Sequence, residues 1–411
     1  MKYVVDHRLV LARPPEGPLA RHIASFAKSI SEQGYGLVSL RNQVLVAVGF
    51  SQWLKSQGVG LRSICEDSPA RYLRYRARHR RPKKGDHAAL RHLMEFLRQD
   101  GLIKDKTPGH RLTPVEQHVE AYAQHLRAAR ALAEPTIVSY LQFIRAFLKD
   151  SLRDGRAAPS GLEAGDVIRF VRRQASRTHL KTAKIMTTAL RSFLRYLRFR
   201  GDIVADLAAA VPAVASWSMS SIPRAIAPAD VRQLLKSVDR RTTSGRRDYA
   251  ILLLLARLGL RSGEVASLEL DDIDWTAGQL TVRGKSGQRS KLPLPTDVGE
   301  AIAAYLRQGR PHSTSRRVFL RTKAPIRGFR GPSGLGCVVR RSVKRAGVAP
   351  PTTGTHQFRH SLATEMLRGG ASLSEIGDVL GHHHPQTTMI YAKVDLRALR
   401  TLALPWPGDA R

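Results

Sequence analysis

Cysteine is nearly missing from this chain of 411 residues: Cys65 and Cys337 lie far apart and form no CxxC pair. Neither a disulfide framework nor a zinc ribbon is therefore expected, and both thiols read as ordinary packed or surface groups. Long apolar runs are missing too. No stretch of about 18 apolar residues could span a bilayer, and no leader pattern or amphipathic anchor opens the sequence. A soluble, cytoplasmic protein with no membrane contact is expected. Acidic residues are scarce: 33 Asp and Glu stand against 68 Lys and Arg, a formal charge of +35. Such a surplus repels itself unless a polyanion neutralises it, so nucleic acid is the expected partner.

The apolar share of 42% supplies material for two or three packed cores. An internal repeat organises the first half. Residues Ala89 to Ile103 (ALRHLMEFLRQDGLI) match Ala189 to Ile203 (ALRSFLRYLRFRGDI), with Phe96 aligned on Tyr196 and Gly101 on Gly201. Upstream, apolar positions return at three- and four-residue spacing in both copies, as in Ile23, Phe26, Ile30 and in Val119, Tyr122, Leu126. Both copies read as all-helical bundles, over 1–110 and 113–206. The Ala-, Ser- and Pro-rich stretch 207–227 reads as a linker, and 228–411 as a last, mainly α domain. In that domain Tyr249 to Leu258 reads as a buried helix. Leu280/Val282 and Leu292/Leu294 alternate around the turn GKSGQR as an antiparallel hairpin, and helical patterns resume from Leu335.

Four short motifs in the last third carry polar chemistry: Gly-Leu-Arg261-Ser-Gly-Glu264, the hairpin-turn Lys285, His356-Gln-Phe-Arg359-His360, and Leu-Gly-His382 followed nine residues later by Tyr391. Each alone has a plain reading. Arg261 and Glu264 could be a surface pair, Lys285 a solvated turn residue, and Tyr391 a packing side chain. Their joint order resembles the tyrosine recombinase (phage integrase) family, whose catalytic domain presents Arg, a hairpin Lys, His-x-x-Arg, a His or Trp, and Tyr in that succession. The resemblance covers about Pro228 to Leu404 and, more loosely, the helical domain before it. It implies a mainly α (α+β) chain: two tandem helical, SAM-like DNA-binding bundles and a mostly helical catalytic domain with a small antiparallel sheet. Gln357 and Phe358 stand where the family commonly has Asp and Leu.

The resemblance implies site-specific cleavage and rejoining of double-stranded DNA through a 3′-phosphotyrosyl intermediate, without metal or cofactor. A tyrosine phenol can store the phosphodiester as a covalent ester, which assigns the nucleophile to Tyr391. Arg261 and Arg359 would answer the charge that builds on the nonbridging oxygens. Lys285 would protonate the departing 5′ oxygen. His356 would exchange a proton with the phenol or bond the phosphate, and His382 would add a donor. Glu264 is expected to hold His356 or the helix end, and His360 to support the site. The run His382-His383-His384 lacks acidic or thiolate company, so a metal site is not expected. The family further implies a homotetramer on two DNA sites, or a mixed assembly with related recombinases. Leu396, Leu399, Leu402 and Leu404 in the tail would dock on a neighbour.

Two basic clusters, Arg74, Arg76, Arg78, Arg80, Arg81, Lys83, Lys84 and Arg169, Arg172, Arg173, Arg177, Lys181, Lys184, contain few acidic residues and read as phosphate contacts. A type IB topoisomerase, which uses similar chemistry, and an inactive DNA-binding regulator are the alternatives. The recombinase-like spacing disfavours the first and the full motif set the second. An integrase or transposon recombinase fits the extra bundle better than a minimal chromosome-dimer resolvase.

Overall fold

The computed structural model describes residues 3–6, 9–81, 83, 85–103, 113–151, 159–215, 222–284, 287–382, 384–394 and 399, with the side chain of Asp6 left out. The chain opens on a hairpin that the sequence did not announce: β1 (Tyr3–Asp6) pairs antiparallel with β2 (Leu9–Leu11). Four helices follow, α1 (Ile23–Glu32), α2 (Leu37–Ser56), α3 (Ser68–His79) and α4 (Asp86–Gln99). Their apolar stripes close on one core around Phe26, Phe50 and Leu93. The second bundle comprises α5 (Pro114–Ala128), α6 (Glu134–Ser151), α7 (Ala164–Ala175) and α8 (Leu180–Phe199), around Tyr122, Phe147 and Phe193.

The repeat is visible in the packing. Ala89, Leu90, Leu93, Met94, Phe96, Leu97 and Ile103 are buried in the first bundle, and the residues one hundred places later, Ala189 through Ile203, are buried at each matching position in the second. The helix ends agree as well. Gly101 (φ +66) and Gly201 (φ +78) reverse the chain in the left-handed region. The next residue then bonds back: Leu102 N to Leu97 O and Asp202 N to Leu197 O, both 2.9 Å.

The described ends of the stretch 207–227, expected as a linker, are each packed, one in the second bundle and one in the last core. Leu207, Ala208 and Val211 are buried in the second bundle, where Arg191 donates to the carbonyls of Val211 (2.9 Å) and Pro212 (3.1 Å). At the other end Ile226 is buried in the last core, and its carbonyl accepts from Ser361 Oγ at 2.7 Å. Small Ala and Val side chains bury a face without showing a strong polar/apolar period, which is why composition alone read as linker.

The last core forms around α10 (Thr243–Arg257), in which Ala250 through Leu255 are all buried, as the continuous apolar run demands. It is flanked by α9 (Pro228–Lys236), α11 (Ser262–Ser267), α12 (Thr296–Gln308), α13 (Pro332–Ala346) and α14 (His356–Arg368), and α15 (Leu373–Leu380) packs on α14 in a separate small cluster. A four-residue α16 (Pro385–Thr388) leads into a 3₁₀ turn, Met389–Val394. The sheet has three strands in the order β3 (Ile273–Asp274), β4 (Gln279–Arg283), β5 (Arg289–Pro293), all antiparallel. Leu280 and Val282 point into the core, as their alternation requires. By contact density the described residues fall into two units, Met1–Lys104 with Ser221–Arg411, and Asp105–Ser220.

Candidate active site

Gly259, after the end of α10, adopts φ +58, where a side chain would be strained. A Cβ there would also lie 3.0 Å from δ-carbons of both Leu362 and Leu380. The tight turn delivers Arg261 to the start of α11. Glu264, one turn on and buried, takes the Arg261 backbone N–H at 2.7 Å and its Nη1 at 2.8 Å. Glu264 thus caps the helix end, one of its two expected roles, and fixes the Arg261 guanidinium as well. Arg261 remains one-third exposed.

Arg359 is buried on α14, and its side chain is held by backbone. Nη1 donates to the Gly259 carbonyl at 2.9 Å and Nη2 to the Leu380 carbonyl. Burial first, and then the neighbouring Arg261, push this guanidinium's pKa down to about 10, with Glu264 and Tyr391 opposing. It stays charged at neutral pH. Its positive charge is held where solvent screens it weakly, so an approaching phosphate would feel it strongly.

Tyr391 lies on the 3₁₀ turn, 1% exposed, in a small apolar cluster with Ala363, Ile376 and Leu380. Its hydroxyl is 2.9 Å from Nδ1 of His360. Burial raises the phenol's pKa above its usual value, while Arg359 and Arg261 pull it back. His360 is shifted the other way: burial, then His356 and Arg359, keep its imidazole neutral to lower pH than usual. A protonated phenol therefore faces a neutral imidazole. His356, expected at the phenol, is the exposed first residue of α14 and is close enough to influence His360.

His382 follows the left-handed Gly381 that ends α15, and its Nδ1 is 2.7 Å from the buried hydroxyl of Thr388. Thr388 was missed from sequence because a threonine in a short polar helix has no distinguishing pattern. Lys285 and His383 lie outside the described residues. Gly284 and Gln288, which bracket the β4–β5 turn, bond to each other at 2.8 Å and line a cleft of about 40 Å³ together with Arg261, Glu264 and Arg359. Among the described residues, no three His, Cys, Asp or Glu side chains group as metal ligands.

The basic clusters divide. Arg74, Arg78, Arg80, Arg81 and Lys83 are exposed, as are Arg172, Arg177, Lys181 and Lys184. Three expected phosphate contacts instead have carboxylate partners. Arg76 Nε is 3.2 Å from the buried Asp86 and its Nη1 donates to Tyr72. Arg169 pairs with Asp166 at 3.2 Å, and Arg173 with Asp150. Asp86 and Asp150 come from neighbouring helices, so linear scanning of the clusters did not reveal them. Lys84 lies outside the described residues. No described helix is long and apolar enough to cross a membrane.

The sequence profile of the phage integrase family matches residues 224–397, and that of the phage integrase N-terminal SAM-like domain matches residues 119–201. A putative integrase/recombinase y4rA of Sinorhizobium fredii is 61% identical over the full length of both chains. A tyrosine recombinase XerD of Listeria monocytogenes is 30% identical, covering 67% of this chain and 93% of its own. Two solved structures share the fold at 17% identity. XerH site-specific recombinase in a post-cleavage complex with palindromic difH has a TM-score of 0.56 and covers 81% of this chain and 93% of its own. A lambda integrase (75–356) dimer bound to a COC′ core site has a TM-score of 0.52, covering 67% and 94%. With Arg261, Arg359, His360 and Tyr391 gathered at one site, and relatives matching end to end, the chain belongs to the phage integrase family of tyrosine recombinases.

Proposed function

We propose that this enzyme cuts and rejoins duplex DNA site-specifically, with Tyr391 as nucleophile and His360 as the group that receives the phenolic proton. The observation carrying this is the Tyr391 hydroxyl 2.9 Å from His360 Nδ1, with Arg359 and Arg261 near enough to act on its charge. A phenol held protonated by burial must lose its proton as it attacks, so an adjacent neutral base lowers the barrier. The phenolic oxygen bonds the scissile phosphorus, the P–O5′ bond breaks, and the 5′ oxygen leaves as a hydroxyl after taking a proton. Lys285 is the proposed source of that proton. Arg261 and Arg359 neutralise the nonbridging oxygens, and His382 adds a donor: if the Thr388 hydroxyl donates to Nδ1, Nε2 carries the hydrogen. Rejoining reverses the steps, returning the proton from His360 to the phenol.

The reading extends to an integrase or transposon recombinase acting as a tetramer on two DNA sites. A XerD relative of the Xer group matches about two-thirds of this chain, and neither family profile reaches residues before 119. The preceding bundle is therefore the part to explain, and we assign it DNA contact outside the core site. The test is a suicide duplex nicked near the cleavage step. Wild-type protein should become covalently attached in excess EDTA, whereas Tyr391→Phe should bind the duplex and form no adduct. An adduct with the phenylalanine variant overturns the assignment. Relaxation of supercoils without strand exchange between duplexes would favour a topoisomerase.

A further inference from the structure

Residues 320–328 form a narrow loop on the last domain, closed by a bridge between Leu320 and Gly328 and by a bond from Arg321 N to the Arg327 carbonyl at 2.9 Å. Its base is anchored from α10, where Arg247 Nη1 donates to the Leu320 carbonyl at 2.9 Å and the guanidinium stacks over Phe329. Its tip meets the first bundle. Ile326 N donates to the Gln33 carbonyl at 2.8 Å, and Ile326 packs so closely on Gly34 that a Cβ there would stand 2.4 Å from Cγ1. Between this loop and helices α1, α2 and α4 lies a cavity of about 1200 Å³.

The charge in the cavity is unbalanced. Lys83, Arg91, Arg321, Arg327 and Arg330 line it, and Glu95 is the acidic side chain that faces the arginines. The other lining acid, Asp86, is taken by Arg76 and by the backbone of Lys83. Among the described residues no carboxylate forms an ion pair with any of the four arginines. Five lining cations against two lining acids leave an excess of three. Nε of Arg327 is buried and has no hydrogen-bond partner, although a guanidinium N–H rarely goes unmet inside a protein. Burial first, and then repulsion from Arg330 and Arg321, lower the Arg327 pKa, with Glu95 and Tyr35 opposing. Beside the arginines the wall is aromatic. The Tyr35 and His92 rings lie 5.6 Å apart, and Tyr35 is within electrostatic reach of Arg91, Arg321 and Arg327.

We propose that this cleft between the first bundle and the 320–328 loop is a binding site for a phosphate ester. Guanidinium forks match phosphate oxygens in pairs, and an excess of three charges calls for a polyvalent anion. The apolar and aromatic wall formed by Phe26, Ile30 and Tyr35 suits the organic part of the ligand. The phosphate comes either from a free nucleotide or from a DNA backbone outside the cleavage site. The DNA source rests on the recombinase reading; the free source does not. Either way the ligand would bridge two parts of the chain that the Gln33–Ile326 bond already joins.

The experiment uses the full chain and the double variant Arg327→Gln/Arg330→Gln, with Arg327→Lys as a charge-preserving control for folding. Calorimetric titration with ATP and with inorganic pyrophosphate reads the free source. Salt titration of a duplex extended beyond the cleavage site reads the DNA source. Binding of ATP or pyrophosphate that falls tenfold or more in the double variant, and is retained by the lysine variant, identifies a nucleotide site. No free binding, but a salt slope reduced by about 1 to 2 in the double variant, identifies the DNA backbone. If neither quantity changes, the proposal is overturned. Tyr391 adduct formation is scored on the same proteins: an adduct with an unchanged cleft sinks this inference alone. Absence of an adduct in wild type removes the recombinase reading while the ATP and pyrophosphate titration still decides the cleft.

Discussion

Glu264 grips Arg261 at both its backbone and its side chain, so a small change in that carboxylate reaches the substrate through another residue. Glu264→Gln keeps the shape and loses the charge. Cleavage of the nicked duplex in a single turnover should slow by about 10–100-fold, in the range seen when groups orienting a catalytic residue are lost, with duplex affinity unchanged. An unchanged rate would show that Arg261 orients itself. His360 yields a pH prediction. Its pKa is lowered, so the neutral base persists below the ordinary imidazole range, and the single-turnover rate should hold through that range before falling in acid. Stability follows the same sign. Between the lowered folded value and the ordinary imidazole value of 6.5, the unfolded state binds more protons, so the contribution of His360 is complete above that window and is lost as pH falls through it. The sequence order of Arg261, Arg359, His382 and Tyr391 marked the site. It did not tell which imidazole meets the phenol, because His356 and His360 are one helical turn apart and only the placement of the 3₁₀ turn chooses between them.

At the scale of elements, the helices were legible because each apolar stripe keeps one period over two or more turns, as Ala250 to Leu255 and the repeated Ala89 and Ala189 segments do. Strand β3 and the β1–β2 hairpin were not, since two to four residues hold too little alternation to be distinguished from loop. The turn between α10 and α11 joins fold to chemistry. Gly259→Ala would add a Cβ at positive φ against Leu362 and Leu380, and the carbonyl that holds Arg359 would shift with it. Thermal unfolding should show a loss of about 1–2 kcal/mol from the left-handed strain alone, and cleavage should fall further than that loss of folded protein accounts for. Thr388→Val removes the hydroxyl that holds the His382 ring through Nδ1 while keeping the volume. Its expected effect is slower cleavage at unchanged duplex affinity, and an unchanged rate would leave Thr388 a packing residue.

For the whole molecule, the first bundle and the tail carry the expectations least tied to the chemistry. If the bundle contacts DNA, full-length protein should lose affinity with salt more steeply than a shortened chain beginning at Thr113, and its footprint should be longer. Equal slopes and footprints would turn attention to protein assembly. Of the four tail leucines, Leu399 is described and exposed, and Leu396, Leu402 and Leu404 lie outside the described residues. Deletion from Leu396 onward should impair recombination more than binding to a single site, and wild-type recombination by the shortened chain would end that idea. The concealment of Tyr391 has a consequence for how such an enzyme is kept. A covered, protonated phenol is a poor target for reagents that attack exposed phenolate, so nitration by tetranitromethane should modify the exposed Tyr75 well before Tyr391 in free protein. With Tyr391 in its proposed role as nucleophile, the same cover would spare DNA that the enzyme meets by chance, because the buried phenol is out of reach of a strand lying on the surface.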